Sequence, residues 1–385
     1  ATGSYTLSLH AALPISDGPK GVLCPEVSLA GHNRSLDSHS LDCMLQKNWS
    51  ERGVLFGSLD QMLADHDELL RPYFQTAFDP THDRFAALHA AFWTGGHVLY
   101  VPRGVVVDEP LHALSHMTDG GTDLSHILVV LEDGAEATLL CETSSPSEMA
   151  GGFHCGAIEL ILGAGSHLRF VNLQDWGEGV WHFAHEKAII HQDASLQWTV
   201  AALGSRLAKV NQRVVMVGEG ANCQVNGVLF TKGKQHLSDD TLQHHQVSNC
   251  RSDLLYKAAL QEKSRTVWRG MIKVDVDAQK TDGYQRNDNL LLSSNARADS
   301  IPGLEIEADD VRCTHGSTSG CVDEEQIGST RLNSSHVVIS YAVFCLKKKR
   351  HILVALNHSF LFTGFHSAGP PAYDETPYPP FQHLS

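Results

Sequence analysis

A cysteine and a histidine stand two positions apart in Asp-Val-Arg-Cys313-Thr-His315-Gly, just after the alternating stretch Leu304-Glu-Ile-Glu-Ala308. Thiolate and neutral imidazole are both good iron ligands. On an extended strand, residues two apart face the same side, so the pair supplies at most two donors. A complete site therefore needs ligands from elsewhere. Cys321 and Glu324 follow closely and would contribute if the chain folded back. A site shared with a partner chain accounts for the incompleteness as well. In the plain alternative, Cys313 packs as a small apolar residue and His315 caps a turn.

Other polar constellations are weaker. His182, His185 and His191 crowd into one segment with Glu186 beside them, and His244-His245 follow. A cupin-like metal enzyme would want such histidines converging from adjacent strands with a carboxylate. Yet His182 and His185 are three apart and fall on opposite faces of a strand. Asp275 and Asp277 are the candidate pair for a polysaccharide-acting β-helix enzyme, although a solvated edge explains them more simply. The chain contains no Gly-x-x-x-x-Gly-Lys-Ser/Thr loop, so it is not expected to hydrolyse ATP itself.

Composition narrows the classes further. The 385 residues are 42% hydrophobic and 19% charged, which reads as soluble and globular, with no apolar run long enough to cross a membrane. A formal charge of −15 with scattered lysines and arginines argues against nucleic acid as a partner. Nine cysteines without a CxxC or dense spacing fit a reducing, cytoplasmic setting and no disulfide framework.

These residues must be positioned by strands. From His97 onward the dominant period is two, in stretches such as "HILVVLEDGAEATLLC" and "AIIHQDASLQWTV". Tight turns at Asp133-Gly134, Gly163 to Ser166, Gln192 to Ser195 and Gly218 to Ala221 recur at a spacing of roughly 30 residues, and later ones at roughly 15, which is the signature of a repeat architecture. A coil of stacked strands explains that better than a sandwich or jelly roll. Its core is expected to contain Leu168, Phe170, Leu196, Trp198, Val225 and Val228, with Gln197 and Thr199 outward. Ahead of it, the capping-box pattern Ser58-Leu-Asp-Gln61 predicts a helix reaching Leu70. Asp79-Pro80 predicts a second helix that carries Phe85, Leu88 and Phe92 and stops at Gly95-Gly96.

The division expected is therefore a partial helical region over 17–94 and a β-helix core over 95–327. Residues 1–16 and 328–385 contain "SYTLSLHAALPIS" and "STRLNSSHVVISYAVFCLKKK", which resemble translated sequencing adapters and are set aside as non-native ends, the second expected to be disordered.

Three long motifs carry a family resemblance: "GGHVLYVPRGVVVDEPLH", "SRTVWRGMIKVDVDAQKTDGYQRNDNLLLS" and "ADSIPGLEIEADDVRCTHGSTSGCVDEEQI". Together they resemble the SufB/SufD family of iron–sulfur cluster assembly proteins, and the short Cys313-Thr-His315-Gly316 run is similar to the SufD branch. The resemblance implies a mainly β fold, a right-handed parallel β-helix with short flanking helical segments. It implies a non-catalytic scaffold subunit in a complex with SufB and the ATPase SufC. His315 would lie at the SufB interface, with Cys313 in the same motif, beside a transient iron or iron–sulfur cluster; no cofactor is expected to be held tightly by this chain alone. The family's carboxy-terminal helical domain, which contacts SufC, would be replaced here by residues 328–385. A metal-dependent β-helix or cupin-like enzyme is the alternative.

Overall fold

Strands dominate because Val, Ile, Leu and aromatic side chains occupy every second position and fit a pleated surface buried on one side. The computed structural model of the protein describes residues 27–321. It begins with β1 (Gly31–Leu36), β2 (His39–Leu45), α1 (Lys47–Glu51), β3 (Leu55–Ser58), α2 (Leu59–Asp65), α3 (Asp67–Leu70) and α4 (Arg84–Phe92). Next come β4 (Gly96–Val101), β5 (Leu111–His116), β6 (Gly121–Asp123), β7 (His126–Leu131), β8 (Glu136–Ser144), β9 (Gly151–Leu162), β10 (His167–Asp175), β11 (Gly179–Ile190) and β12 (Ser195–Ala202). The last are β13 (Leu207–Met216), β14 (Asn222–Thr231), β15 (His236–His245), β16 (Arg251–Leu260), β17 (Arg265–Val274), β18 (Thr281–Leu291), β19 (Arg297–Ile306) and β20 (Val311–Cys321).

From β7 onward, successive strands alternate between two sheets, even-numbered in one and odd-numbered in the other. From β9 onward each pairs in parallel with the strand two before it. That is a β-solenoid of about eight turns, in which every coil stacks on the last. The register repeats strictly enough to form inward lanes. One lane runs Leu168, Leu196, Cys223, Ser252, Gly283, Cys313, and a second runs Phe170, Trp198, Val225, Leu254, Gln285, His315.

The turns stack too. Gly134, Gly165, Asp193 and Gly220 all take positive φ, and the amide of each of the first three bonds to a carbonyl of the next coil's turn. Glycine suits three of these places because it enters the left-handed region without a Cβ clash.

Helices α2 and α3 cover the outer face of the odd-numbered sheet, where Leu59 and Leu70 pack on Val98, Tyr100, Leu128 and Val130. Buried on both faces, β4 and β7 consequently read as continuous apolar runs.

Several expectations change in detail. Leu168, Phe170, Leu196, Trp198 and Val225 are buried in the core, whereas Val228 faces outward. Its neighbour Gly227 takes the inward slot beneath Tyr256, since residues three apart cannot share a strand face. Thr199 is outward but buried. The second helix starts at Arg84, capped by Asp83 Oδ1, which accepts from the Phe85 and Ala86 amides at 2.8 Å. Asp79 instead closes a turn with Thr81. Strands also begin well before residue 95, with β1 pairing in parallel with β5. Residues 1–16 and 328–385 lie outside the described residues.

Candidate functional site

Cys313 and His315 sit on β20, the last strand of the even-numbered sheet. Their register partners on β18 are Gly283 and Gln285. Both therefore continue core lanes in the last coil of the described residues, and they face the same side as their spacing requires. Cys313 is half-buried against Ile272, Val274, Ala278 and Ala308. Burial pushes its thiol up, opposed by the Gly283 backbone and assisted by Asp282. His315 is exposed. Beneath it, the buried Gln285 donates to the Gly303 carbonyl at 2.9 Å, while its Oε1 has no hydrogen-bond partner.

The other two candidates do not join this pair. No turn interrupts β20 before Cys321, so that exposed thiol stands six residues beyond His315, about 20 Å along the strand. Glu324 lies outside the described residues. What remains is a thiol and an imidazole on the terminal coil, with β20 unpaired on its outer edge among the described residues. Ile301, Leu304 and Ile306 of the neighbouring β19 are exposed at the same end. Two such donors can share a metal or cluster with ligands brought by another chain.

Histidines flagged by spacing disperse. His182 points inward and accepts from the Trp176 indole at 3.2 Å, His185 points outward, and His191 lies in an exposed turn. Glu186 is inward as well, between the Asn172 and Gln212 amides at 2.9 and 3.3 Å, so it does not meet His185. His244 pairs with Asp275 at 2.9 Å, whereas His245 is buried against Ser252. Asp275 and Asp277 follow the end of β17 in a turn, so they are not on one strand face.

Two polar groupings escaped the sequence reading. One is a layer inside the solenoid, where Glu186, Gln212, Asp239 and Tyr256 are all buried. Tyr256 donates to Gln212 Oε1 at 3.0 Å. Polar residues at inward positions of an alternating strand were the available signal. The second brings His82 and Asp83 from the start of α4 to His185 on β11. Nothing in spacing announces it, because the partners are a hundred residues apart.

The architecture has counterparts among known proteins. Residues 114–327 match the SUF system FeS cluster assembly SufBD core domain, and residues 38–113 match the SufBD protein N-terminal region. The chain belongs to the SufBD family of iron–sulfur cluster assembly proteins. Similar relatives include an iron–sulfur cluster assembly SufBD family protein of Staphylococcus epidermidis, 25% identical over 300 residues. That alignment covers 78% of this chain and 64% of the relative. One from Staphylococcus haemolyticus is 26% identical over 301 residues, with the same coverage. This SufBD chain thus spans a little under two thirds of the length of the curated relatives it matches. Among its described residues no helix is long and apolar enough to cross a membrane.

Proposed function

We propose that this chain is the SufD-like scaffold subunit of a SufBCD-type assembly complex, acting in the cytoplasm without turnover of its own. A SufB-like subunit docks at the last described coil of the solenoid, and a SufC-like ATPase supplies the energy. Nascent iron or an iron–sulfur cluster is held transiently at the junction, to which His315 contributes an imidazole and Cys313 lends support. The observation that carries this reading is the position of His315 at the exposed terminus of a core lane. An unpaired strand edge with exposed Ile301, Leu304 and Ile306 is a surface that a partner's strands would cover. An incomplete ligand set at that surface fits a site completed by the partner.

His315→Ala is the direct test. In the assembled complex it should leave binding of the SufB-like and SufC-like partners intact and reduce cluster formation, measured by the absorbance of the reconstituted cluster. Normal cluster assembly would overturn the role of His315. Lost partner binding would make it an interface residue instead. The enzyme alternative has less support, since His182, His185, His191 and Glu186 diverge in the fold.

A further inference from the structure

Far from the terminal coil, on the outer face of the odd-numbered sheet, the segment leading into α4 lies over β11. There His82, Asp83 and His185 each offer one ligand atom, and all three atoms lie within 4.8 Å of one another. We infer that these residues form a binding site for a divalent transition ion of the zinc or ferrous type, which fastens α4 to the solenoid.

Three observations carry this. His185 is only 7% exposed, yet its Nδ1 has no hydrogen-bond partner, an unusual state for a buried imidazole nitrogen. Its Nε2 stands 3.2 Å from Asp83 Oδ1 without hydrogen-bond alignment. With ligand bonds near 2.1 Å, two ligands of one tetrahedral ion lie about 3.4 Å apart, so that separation is close to what a shared ion needs. His82, exposed and with its ring centroid 5.6 Å from that of His185, brings the third ligand atom within 4.8 Å of the other two.

The donor set selects the ion. Two imidazoles with one carboxylate suit zinc or ferrous iron and are a poor match for magnesium or calcium, which prefer oxygen ligands. Lys187 and Arg213 line the same depression, with Lys209 also acting on His185. Their charge is countered locally, since Asp79 and Glu159 act on Lys187, and an anion as fourth ligand would balance the rest. This site is independent of the terminal Cys313–His315 pair, so either can fail alone.

The full chain, stripped by a chelator, should be titrated with Co2+ and separately with Zn2+. One equivalent of Co2+ should give visible ligand-field bands without a thiolate charge-transfer band, which distinguishes the site from any cysteine-containing one. His82→Ala and His185→Ala should each weaken Zn2+ binding at least tenfold. Asp83→Asn, which keeps a good helix cap, should do so as well. Saturating Zn2+ should raise the thermal midpoint of the wild-type chain but not of His82→Ala. If His185→Ala misfolds, the exposed His82 decides the matter. Absence of stoichiometric binding, or an equivalent of metal that survives His82→Ala with its spectrum unchanged, would overturn the site.

Discussion

Gln285 and His315 are Cα partners across β18 and β20, and they end a lane that runs through Phe170, Trp198, Val225 and Leu254. The lane changes from apolar to polar at the last coil of the described residues. Gln285 is buried with Oε1 unpartnered, directly beneath an exposed imidazole. Replacing Gln285 with the similarly sized Met loses its bond to Gly303 and a long one to Gly270 but also removes the orphan oxygen, so stability should change by no more than about 1 kcal/mol. If Gln285 orients His315, cluster formation on the complex should fall toward the level of His315→Ala. Chemical denaturation and cluster absorbance measure the two effects, and unchanged assembly would mean that the imidazole orients itself.

The cysteines of β20 should react unequally. Only the thiolate is nucleophilic, and burial holds the Cys313 thiol up while Cys321 is exposed. In the chain without partners, iodoacetamide at neutral pH should label Cys321 first. Peptide mass spectrometry over time gives the two rates. Faster labelling of Cys313 would show it to be a poised thiolate.

Stability should peak near pH 6.5. Burial pushes His89, His97 and His245 down to about 4 and His154 to about 3, with His126 and His182 also well below 6.5. On acidification the unfolded chain takes up protons that the folded one refuses, so the stability these six contribute is full above about 6.5 and falls below it, through about 4 for His89, His97 and His245 and about 3 for His154. Buried carboxyls act oppositely. Burial raises Glu186 to about 8 and Asp239 and Glu159 to about 7, and it raises Asp123 and Asp253 in the same direction. The contribution of Glu186, Asp239 and Glu159 is full below about 4 and is lost as pH rises through 7 to 8, and Asp123 and Asp253 act in the same direction. Between these limits the histidines outnumber them, and above 6.5 the carboxyls act alone. Each unmatched proton changes stability by about 1.4 kcal/mol per pH unit. Thermal midpoints from pH 5 to 9 should rise and then fall, and Glu186→Gln should flatten the alkaline limb. A curve still climbing at pH 8 would contradict the raised carboxyls.

Legibility from sequence followed the range of the interactions. Period-two alternation and recurring turns are local, so the solenoid and most of its core could be read directly. The Cys313–His315 pair was legible because it lies within one strand, although its place at the end of two core lanes depends on register across coils. Val228 was misplaced because a run of apolar residues hides which parity faces inward. His82, Asp83 and His185 meet only when α4 docks on β11, and no local pattern encodes that contact. Cys321 appeared close in sequence to the pair, but an uninterrupted extended strand separates residues faster than any other element.

The inward parity of β14 can be tested by three substitutions. Val225 is 1% exposed between Trp198 and Leu254, so Val225→Ala removes fully buried methyl groups and should cost about 2 kcal/mol. Val228 faces outward, and Val228→Ala should stay within about 1 kcal/mol. Gly227 occupies the inward slot between them. An added Cβ there would stand 2.6 Å from the ring of Tyr256, which is itself buried and bonded to Gln212. That ring cannot withdraw without disturbing the polar layer around Glu186, so Gly227→Ala should be the most damaging of the three, by about 2 kcal/mol or more. Urea denaturation of the three variants gives the order. Equal losses at Val225 and Val228 would mean that β14 is buried on both faces, and a silent Gly227→Ala would mean that the Tyr256 ring has room to move.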